Sequence, residues 1–309
     1  MLFAGISRGH RFSPNHIGND RAVFELVAEH LRQMGHQVNE YSEDETLKGI
    51  NERYMFTMAR EPQVVRILKA LEDDGARVIN SGYGIENCYR SNMTRLLNRG
   101  GVSVPDNMTI DTRKYDSSDF HNLIPCWIKR GDFHAIHKED VSFARNVDEC
   151  CAILAEYACR GIETAVISKH IVGDLVKFYG IRGTGFFFHF YPEEYQHSKF
   201  GNESINGKTE RYTVHVDELK RIAEQAADIL NIDIYGGDAI ITPHETIYLI
   251  DMNDFPSFAP CREQAAPFIA QRIHEKMFVA GSDFDKFTTP ISPPPQGYCW
   301  PLSIPVPTQ

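Results

Sequence analysis

The sequence predicts an α/β protein that continues into α+β units, and two patterns in its 309 residues support this fold class. Residues 1–85 alternate between short apolar strands and amphipathic helices, which is typical of a parallel sheet with right-handed crossovers. Beyond residue 169 the pattern changes. Two segments, "DLVKFYGIRGTGFFFHFY" and "GGDAIITPHETIYLIDMND", each place apolar strands on either side of a turn, which indicates antiparallel hairpins.

Composition excludes several classes of protein. The formal net charge of −10 argues against a nucleic-acid-binding protein, which would present a basic face. No apolar run is long enough to span a membrane, so no membrane partner is expected. Seven cysteines without a CxxC pair indicate free thiols and a cytoplasmic location. A homodimer remains open.

The first block is predicted to hold three strands and two helices. The strands are "MLFAGIS", "HQVNEYS" and "ARVINS", and the helices are "NDRAVFELVAEHLRQMG" and "EPQVVRILKALEDDG". Asn19 is the expected N-cap of the first helix and Gly35 its stop. Ligands of such sheets bind at the carboxyl ends of strands, so Ser7, Arg8 and His10 are candidate substrate contacts. The alternative is an ordinary solvated loop over residues 8–20.

Three further blocks follow the first, which ends at residue 85. Residues 86–168 form a small α+β unit, which opens with the helix "IENCYRSNMTRLLNRGG". Residues 169–285 contain the two hairpins and the last helices. Residues 286–309 are rich in proline, and we expect an extended tail.

The second hairpin carries candidate metal ligands. A turn over residues 243–246 would pair residue 239 with 250 and would place Asp238 opposite Asp251. Asn253 would point to the same face as Asp251. Two opposed like charges destabilise a sheet, and a divalent cation between them would remove the repulsion. Hard oxygen ligands favour Mg²⁺. The alternative is two solvated acids at a strand end.

These residues carry a resemblance to a known superfamily. A hairpin that ends Asp-x-Asn-x-x-Pro, with an acid on its partner strand, resembles the metal site of the ATP-grasp enzymes. "NCYRSNMTRLLNRGGVSVPDNMTI", "CWIKRG" and "TAVISKHIVGDLVKFYGI" resemble other elements of that superfamily, in the same order. The resemblance implies an N-terminal parallel α/β domain followed by two α+β domains that sandwich ATP.

The resemblance also implies roles for individual residues. Lys129 and Lys177 would bind phosphates, and Asp238, Asp251 and Asn253 would hold one or two Mg²⁺ ions, with Mn²⁺ as a substitute. The adenine hinge would comprise Ser168, Lys169, His170 and Ile171, and Asp174 would reach the ribose or would be an exposed turn acid. The candidate catalytic residues are Lys177, Arg182 and His134, although a structural role for His134 stays open. Ser257 and His134 depart from the glycines that many ligases have in these regions.

Three functions remain open. The first is an ATP- and Mg²⁺-dependent ligase that joins a carboxylate to an amine through an acyl phosphate, as in relatives of glutathione synthetase and the ribosomal-protein glutamate ligases. The second is a small-molecule kinase similar to the inositol 1,3,4-trisphosphate 5/6-kinases. The third is a nucleotide-binding regulatory protein without turnover. The expected partner is a small-molecule or peptide acceptor, which the sequence does not name.

Overall fold

A computed structural model describes residues 1–12, 17–195, 205 and 209–278. The proline-rich segment 286–309 and part of the loop 8–20 lie outside the described residues. Three four-stranded sheets follow one another along the chain. The predicted class, a parallel α/β unit followed by two antiparallel α+β units, is confirmed.

The first sheet is parallel and has the strand order β2-β1-β3-β4. Its strands are β1 (Leu2–Ile6), β2 (Gln37–Tyr41), β3 (Tyr54–Thr57) and β4 (Arg77–Ile79). The sequence prediction missed β3, because a four-residue apolar run has no periodicity long enough to separate a strand from a buried turn of helix. β3 lies beside β1, so the ends of these two strands adjoin at one edge of the sheet.

Helices cover this sheet. They are α1 (Ile17–Gln33), α2 (Glu43–Thr46) and α3 (Pro62–Asp73). The helix α1 begins two residues before Asn19, so Asn19 lies in the first turn and is not the predicted N-cap.

The single helix predicted from residue 85 is two helices, α4 (Gly82–Asn87) and α5 (Arg90–Arg99). The chain breaks at Tyr89, whose extended backbone (φ −62°, ψ 135°) cannot continue a helix. As a result Arg90 stands at the first position of a new helix.

The second sheet is antiparallel, with the strand order β5-β8-β6-β7. Its strands are β5 (Asn107–Asp111), β6 (Cys126–Arg130), β7 (Val141–Ala144) and β8 (Thr164–Lys169). The helix α6 (Val147–Cys159) buries Cys150, Leu154 and Tyr157 against it.

The third sheet is also antiparallel, with the order β10-β9-β11-β12. Its strands are β9 (Asp174–Ile181), β10 (Phe187–Phe190), β11 (Ile234–Ile241) and β12 (Ile247–Asp254). The helix α7 (Val216–Leu230) packs on one face through an apolar stripe.

The last helix, α8 (Arg262–Phe278), joins the third unit to the first. Ile269 and Ile273 of α8 belong to the same core as Phe3 and Phe24 of the first unit. Buried polar groups reinforce this junction. The Asn80 side chain, which follows β4, donates to Ile234 O at 2.7 Å and accepts from the backbone N–H groups of two residues at the start of β11.

Among the described residues, no helix combines the length and the apolar character needed to cross a membrane.

Candidate active site

A cleft of about 280 Å³ lies where the three sheets meet. One part of its wall is apolar, and another part carries charged side chains from all three units. The apolar part includes Leu97, Val104, Trp127, Ile171, Leu175, Ile240 and Leu249. The charged part includes Arg8, Asp20, Arg60, Arg90, Lys129, Lys177, Asp238 and Asp251, with His134, Asn253 and Ser257 beside them.

Asp238 and Asp251 face each other across β11 and β12, as predicted, but by a different route. The turn is one residue longer than predicted, since Ile241 pairs with Ile247. A β-bulge then leaves Ile250 without a ladder partner, and the two differences cancel at Asp238. The bulged residue, Ile250, also contacts the second sheet. The carbonyl of Ile250 accepts a hydrogen bond from Lys129 Nζ at 2.9 Å.

Each of the two carboxylates already has a cationic partner. Arg90 donates to both oxygens of Asp251, at 2.8 and 3.1 Å. Lys177 lies opposite Asp238 on β9, and its Nζ is 3.0 and 3.2 Å from the two carboxylate oxygens. The repulsion expected between the opposed acids is therefore offset by side chains of the protein. Arg90 could not be paired with Asp251 from the sequence, because 161 positions separate the two residues.

Burial and neighbouring charges together determine the protonation states of Asp251 and Lys129. Burial opposes the ionisation of Asp251, but the charges of Arg90 and Lys129 outweigh it and lower the pKa of its carboxyl to about 2. Burial and the charge of Arg90 lower the pKa of Lys129 to about 8. At neutral pH, Asp251 is thus an anion, and the ammonium of Lys129 is held in a site that disfavours its charge.

The predicted metal ligands share one patch of the cleft wall. Asp238, Asp251 and Asn253 all line it and offer only carboxylate and amide oxygens. Within the described residues, no cluster of three or more His, Cys, Asp or Glu side chains could hold a metal by itself. A metal at this patch would therefore need oxygen ligands from another molecule, which is usual for Mg²⁺ bound with phosphates.

Asp254, the last residue of β12, connects three units. It is fully buried, with His134 Nε2 at 3.1 Å and Arg60 Nη2 at 3.4 Å from its Oδ1. Arg8 Nη2 lies 4.0 Å from Oδ2. Burial opposes ionisation, but Arg60 and His134 outweigh it, so the pKa of the Asp254 carboxyl lies far below its ordinary value. Burial and the charge of Arg60 lower the pKa of His134 to about 4, so this imidazole is neutral at neutral pH.

Only three of the four residues of the predicted adenine hinge line the cleft. Ser168, Lys169 and Ile171 line the cleft, whereas His170 does not. The ring nitrogen Nδ1 of His170 lies 3.1 Å from Trp127 Nε1, so His170 supports an aromatic side chain of the cleft wall. The backbone N–H groups of Lys169 and His170 are bonded to Asp106 O and Pro125 O. The Ile171 N–H has no hydrogen-bond partner among the described residues.

Two predicted site residues lie elsewhere. Asp174 does not line the cleft, and its buried carboxylate accepts from the backbone N–H groups of Glu210 and Tyr212, both at 2.8 Å. Each oxygen thus accepts a backbone N–H group, and Asp174 is buried. Arg182 is also absent from the cleft wall, and its half-exposed side chain pairs with Asp228 at 2.5 Å. The catalytic role of Arg182 stays a prediction, which its position outside the cleft wall does not support.

The three candidate substrate contacts that follow β1 do not all line the same cavity. Arg8 lines the main cleft and is almost fully buried. Ser7 and His10 line a second depression on the first unit, and the Ser7 hydroxyl donates to Tyr41 O at 3.2 Å. Of the three, only Arg8 belongs to the wall of the main cleft.

Comparison with known proteins rests on structure, because no family model and no curated protein matches the sequence. D-alanine–D-alanine ligase from Bacillus anthracis superposes with a TM-score of 0.65, over 89% of this chain and 97% of that chain, at 11% identity. The chain has the ATP-grasp fold. D-Alanyl-alanine synthetase A from Vibrio cholerae gives a TM-score of 0.66 at 11% identity, over 90% and 98% of the two chains.

A further ATP-grasp structure is similar, and one neighbour was solved with nucleotide. The Coxiella burnetii D-alanine–D-alanine ligase gives a TM-score of 0.64 at 13% identity, over 89% of this chain and 94% of that chain. The Bacillus anthracis enzyme complexed with ATP gives 0.63 at 12% identity, over 89% and 97%. The architecture predicted from the resemblance is confirmed by these superpositions.

Three residues of the site escaped the sequence analysis: Arg60, Arg90 and Asp254. Arg60 lies in the loop after β3, a strand that the sequence pattern did not reveal, and Arg90 follows the helix break at Tyr89. Asp254 lies within the Asp-x-Asn-x-x-Pro motif, where the sequence does not distinguish its role from that of the predicted metal ligands. The position of Arg60 relative to a parallel strand would have been a usable signal, since ligands bind beyond the carboxyl ends of such strands.

Proposed function

We propose that this chain is an ATP- and Mg²⁺-dependent ligase that joins a carboxylate to an amine through an acyl phosphate. The observation that carries the proposal is the opposition of Asp238 and Asp251 across β11 and β12, with Lys129 and Lys177 in the same cleft. Superposition on ATP-grasp ligases, one of them complexed with ATP, supports it.

The donor set of the cleft fits Mg²⁺, with Mn²⁺ as a substitute. Asp238, Asp251 and Asn253 would hold one or two ions through hard oxygens. When bound, the metal would neutralise charge on the phosphate oxygens. Arg90 and Lys177 hold the two carboxylates in place through charge-assisted hydrogen bonds before the metal arrives.

The apolar part of the cleft suits adenine. Val104, Trp127 and Leu175 are partly exposed and offer apolar surface to a ring. The Ile171 N–H, which has no partner among the described residues, offers a donor to a ring nitrogen. Lys129 and Lys177 would then bind the phosphates as point charges. Binding an anion would also relieve the unfavourable burial of the Lys129 ammonium.

The chemistry follows from these positions. The γ-phosphoryl group passes to an oxygen of the substrate carboxylate, ADP leaves, and an amine then displaces phosphate from the acyl carbon to form an amide. The cations at Lys129, Lys177 and Arg90 would stabilise the charge that accumulates on the phosphoryl oxygens. His134 is neutral at neutral pH and can serve as a hydrogen-bond donor or acceptor, without adding a positive charge.

The test uses Mg-ATP and a metabolite pool. Mg-ATP at millimolar concentration should raise the melting temperature, because a ligand of the native state stabilises it by mass action, and EDTA should remove most of the shift. Amino acids and peptides should then stimulate ADP release, with a product whose mass equals two substrates minus water. Transfer of phosphate to a hydroxyl, with a mass gain of one phosphate, would establish a kinase instead.

Absence of any melting shift with Mg-ATP would contradict the proposal. A shift without ADP release in any pool would leave only the regulatory nucleotide-binding protein. A cytoplasmic location and a homodimer stay predictions.

A further inference from the structure

Arg60 has unused hydrogen-bonding capacity on the wall of the cleft. It follows β3, and only 5% of the residue is exposed. Its Nε has no hydrogen-bond partner within the described residues. Its Nη2 lies 3.4 Å from Asp254 Oδ1 and 3.5 Å from Asp254 O, at the long limit of a hydrogen bond. A buried cation with unmet donors is unfavourable unless a ligand supplies acceptors.

Arg8, the neighbouring guanidinium, differs from Arg60 in this respect. Its Nε donates to Met58 O at 3.1 Å and its Nη1 to Asp20 at 3.2 Å. Its Nη2 donates to Phe255 O at 2.9 Å. All three nitrogens of Arg8 therefore have partners within the protein, and Arg8 joins the first unit to the end of β12. Arg60 has no comparable set of partners.

The position of Arg60 is fixed before any ligand binds. Glu43 of α2 accepts hydrogen bonds from the backbone N–H groups of Arg60 and Glu61, at 2.5 and 3.0 Å. The far end of the side chain lies beside Asp254, at the long limit of a hydrogen bond. A planar guanidinium whose backbone is held and whose Nε has no partner within the described residues is suited to a planar oxyanion.

The charge balance at this part of the cleft favours a singly charged ligand. Arg8 and Arg60 are accompanied by three carboxyl groups, those of Asp20, Asp254 and Glu43, and burial raises the pKa of the Glu43 carboxyl. His134, which also faces Asp254, is neutral at neutral pH. A polyphosphate would add several negative charges to a site with no excess of positive charge, whereas one carboxylate adds one.

We propose that Arg60 determines acceptor specificity by binding the carboxylate of a substrate of the amino-acid or short-peptide class. The inference depends on the proposed ligase function for its context, and it excludes the polyphosphorylated acceptors that the kinase alternative would use. Asp254 and Glu43 are positioning residues for Arg60.

The experiment measures binding to the full chain saturated with Mg²⁺ and a non-hydrolysable ATP analogue. The probes are a mixture of the twenty amino acids, a mixed dipeptide library, the C-terminal amides of the same dipeptides, and inositol hexakisphosphate. The free acids should raise the melting temperature, and the amides and the polyphosphate should not. The variant is Arg60→Lys, which keeps a positive charge near Asp254 and loses the planar edge. It should weaken binding of the free acids by on the order of 10- to 100-fold and leave nucleotide affinity unchanged.

Arg221→Lys is the matched control, because exposed Arg221 of α7 pairs with Glu218 outside the cleft wall, and binding by this variant should equal that of the wild type. In the ligase assay, Arg60→Lys should raise KM for the acceptor with little change in kcat. If Arg60→Lys unfolds, Arg60→Gln provides the same comparison. Equal acid binding by wild type and variant, no binding of any free acid, or binding of inositol hexakisphosphate alone would each overturn the inference. Failure of the nucleotide analogue to bind would instead refute the proposed function, and the probes would then be titrated without it.

Discussion

Arg90 donates hydrogen bonds to both carboxylate oxygens of Asp251, at 2.8 and 3.1 Å. Arg90 is almost fully buried, and Asp251 is its carboxylate partner. The pair changes what a substitution at Asp251 does to the free protein. From the opposition to Asp238 alone, removal of the Asp251 charge would relieve repulsion. With Arg90 in place, removal leaves a buried guanidinium without its counter-charge.

Asp251→Asn is therefore expected to destabilise the protein without nucleotide by about 2–3 kcal/mol, because breaking a buried ion pair leaves one charge uncompensated. ATP turnover should be lost as well, since the variant removes a proposed metal ligand. Urea unfolding and ADP release measure the two effects. The control is Asp217→Asn, at an exposed position of α7, which should change neither. Wild-type turnover in Asp251→Asn would rule out the metal role, and unchanged stability would show that the pair with Arg90 contributes little.

Replacement of each cleft lysine by methionine should change the melting temperature of the protein, in opposite directions for Lys129 and Lys177. Lys129→Met should raise the melting temperature, because burial lowers the pKa of Lys129 and the buried ammonium is unfavourable. Lys177→Met should lower it, because Asp238 loses the partner at 3.0 Å. Both variants should weaken ATP binding by at least about 10-fold, since each removes a charged contact to phosphate. Calorimetric titration measures the affinity, with exposed Lys48→Met as the control. Unchanged ATP affinity in both variants would refute the phosphate assignments.

The opposed acids could be predicted because strand periodicity decides which face a residue occupies. The prediction of Asp238 opposite Asp251 nevertheless combined two compensating differences, a longer turn and the bulge at Ile250. Neither is visible in the side-chain pattern, because apolar residues fill both strands. The bulge lies at Ile250, the residue whose carbonyl accepts a hydrogen bond from Lys129.

The partners of charged residues could not be predicted. Asp174 and Arg182 lie at the two ends of β9, the strand that contains Lys177. The sequence alone does not distinguish a carboxylate that accepts backbone N–H groups, such as that of Asp174, from one that faces a cleft. Arg60 and Arg90 depend on contacts that span 194 and 161 positions. Such pairings arise from packing of the three units, to which local patterns are insensitive.

His134→Gln tests a pH dependence of stability. The pKa of His134 is 6.5 in the unfolded reference and about 4 in the folded chain, so between these values the unfolded chain binds more protons. Stability should therefore fall as the pH is lowered from 6.5 to 4, by up to about 3 kcal/mol from this residue. His134→Gln removes the titrating group. The difference in unfolding free energy between wild type and variant should therefore change from pH 6.5 to pH 4 and stay constant below pH 4. Exposed His121→Gln is the control, and parallel curves for wild type and His134→Gln would contradict the prediction.

Asp174→Asn distinguishes a structural carboxylate from a ribose ligand. In the structure both oxygens of Asp174 accept backbone N–H groups, from Glu210 and Tyr212. An amide replaces one acceptor with a donor that faces an N–H group, so the variant should lose about 1–3 kcal/mol of stability. Its ATP affinity, measured by titration at a temperature where the variant remains folded, should equal that of the wild type. Asp238→Asn, at a proposed metal ligand, should show the reverse balance, with a small loss of stability and a large loss of Mg-ATP affinity. A variant Asp174→Asn that keeps full stability and binds ATP weakly would support the ribose role that the ATP-grasp resemblance implies.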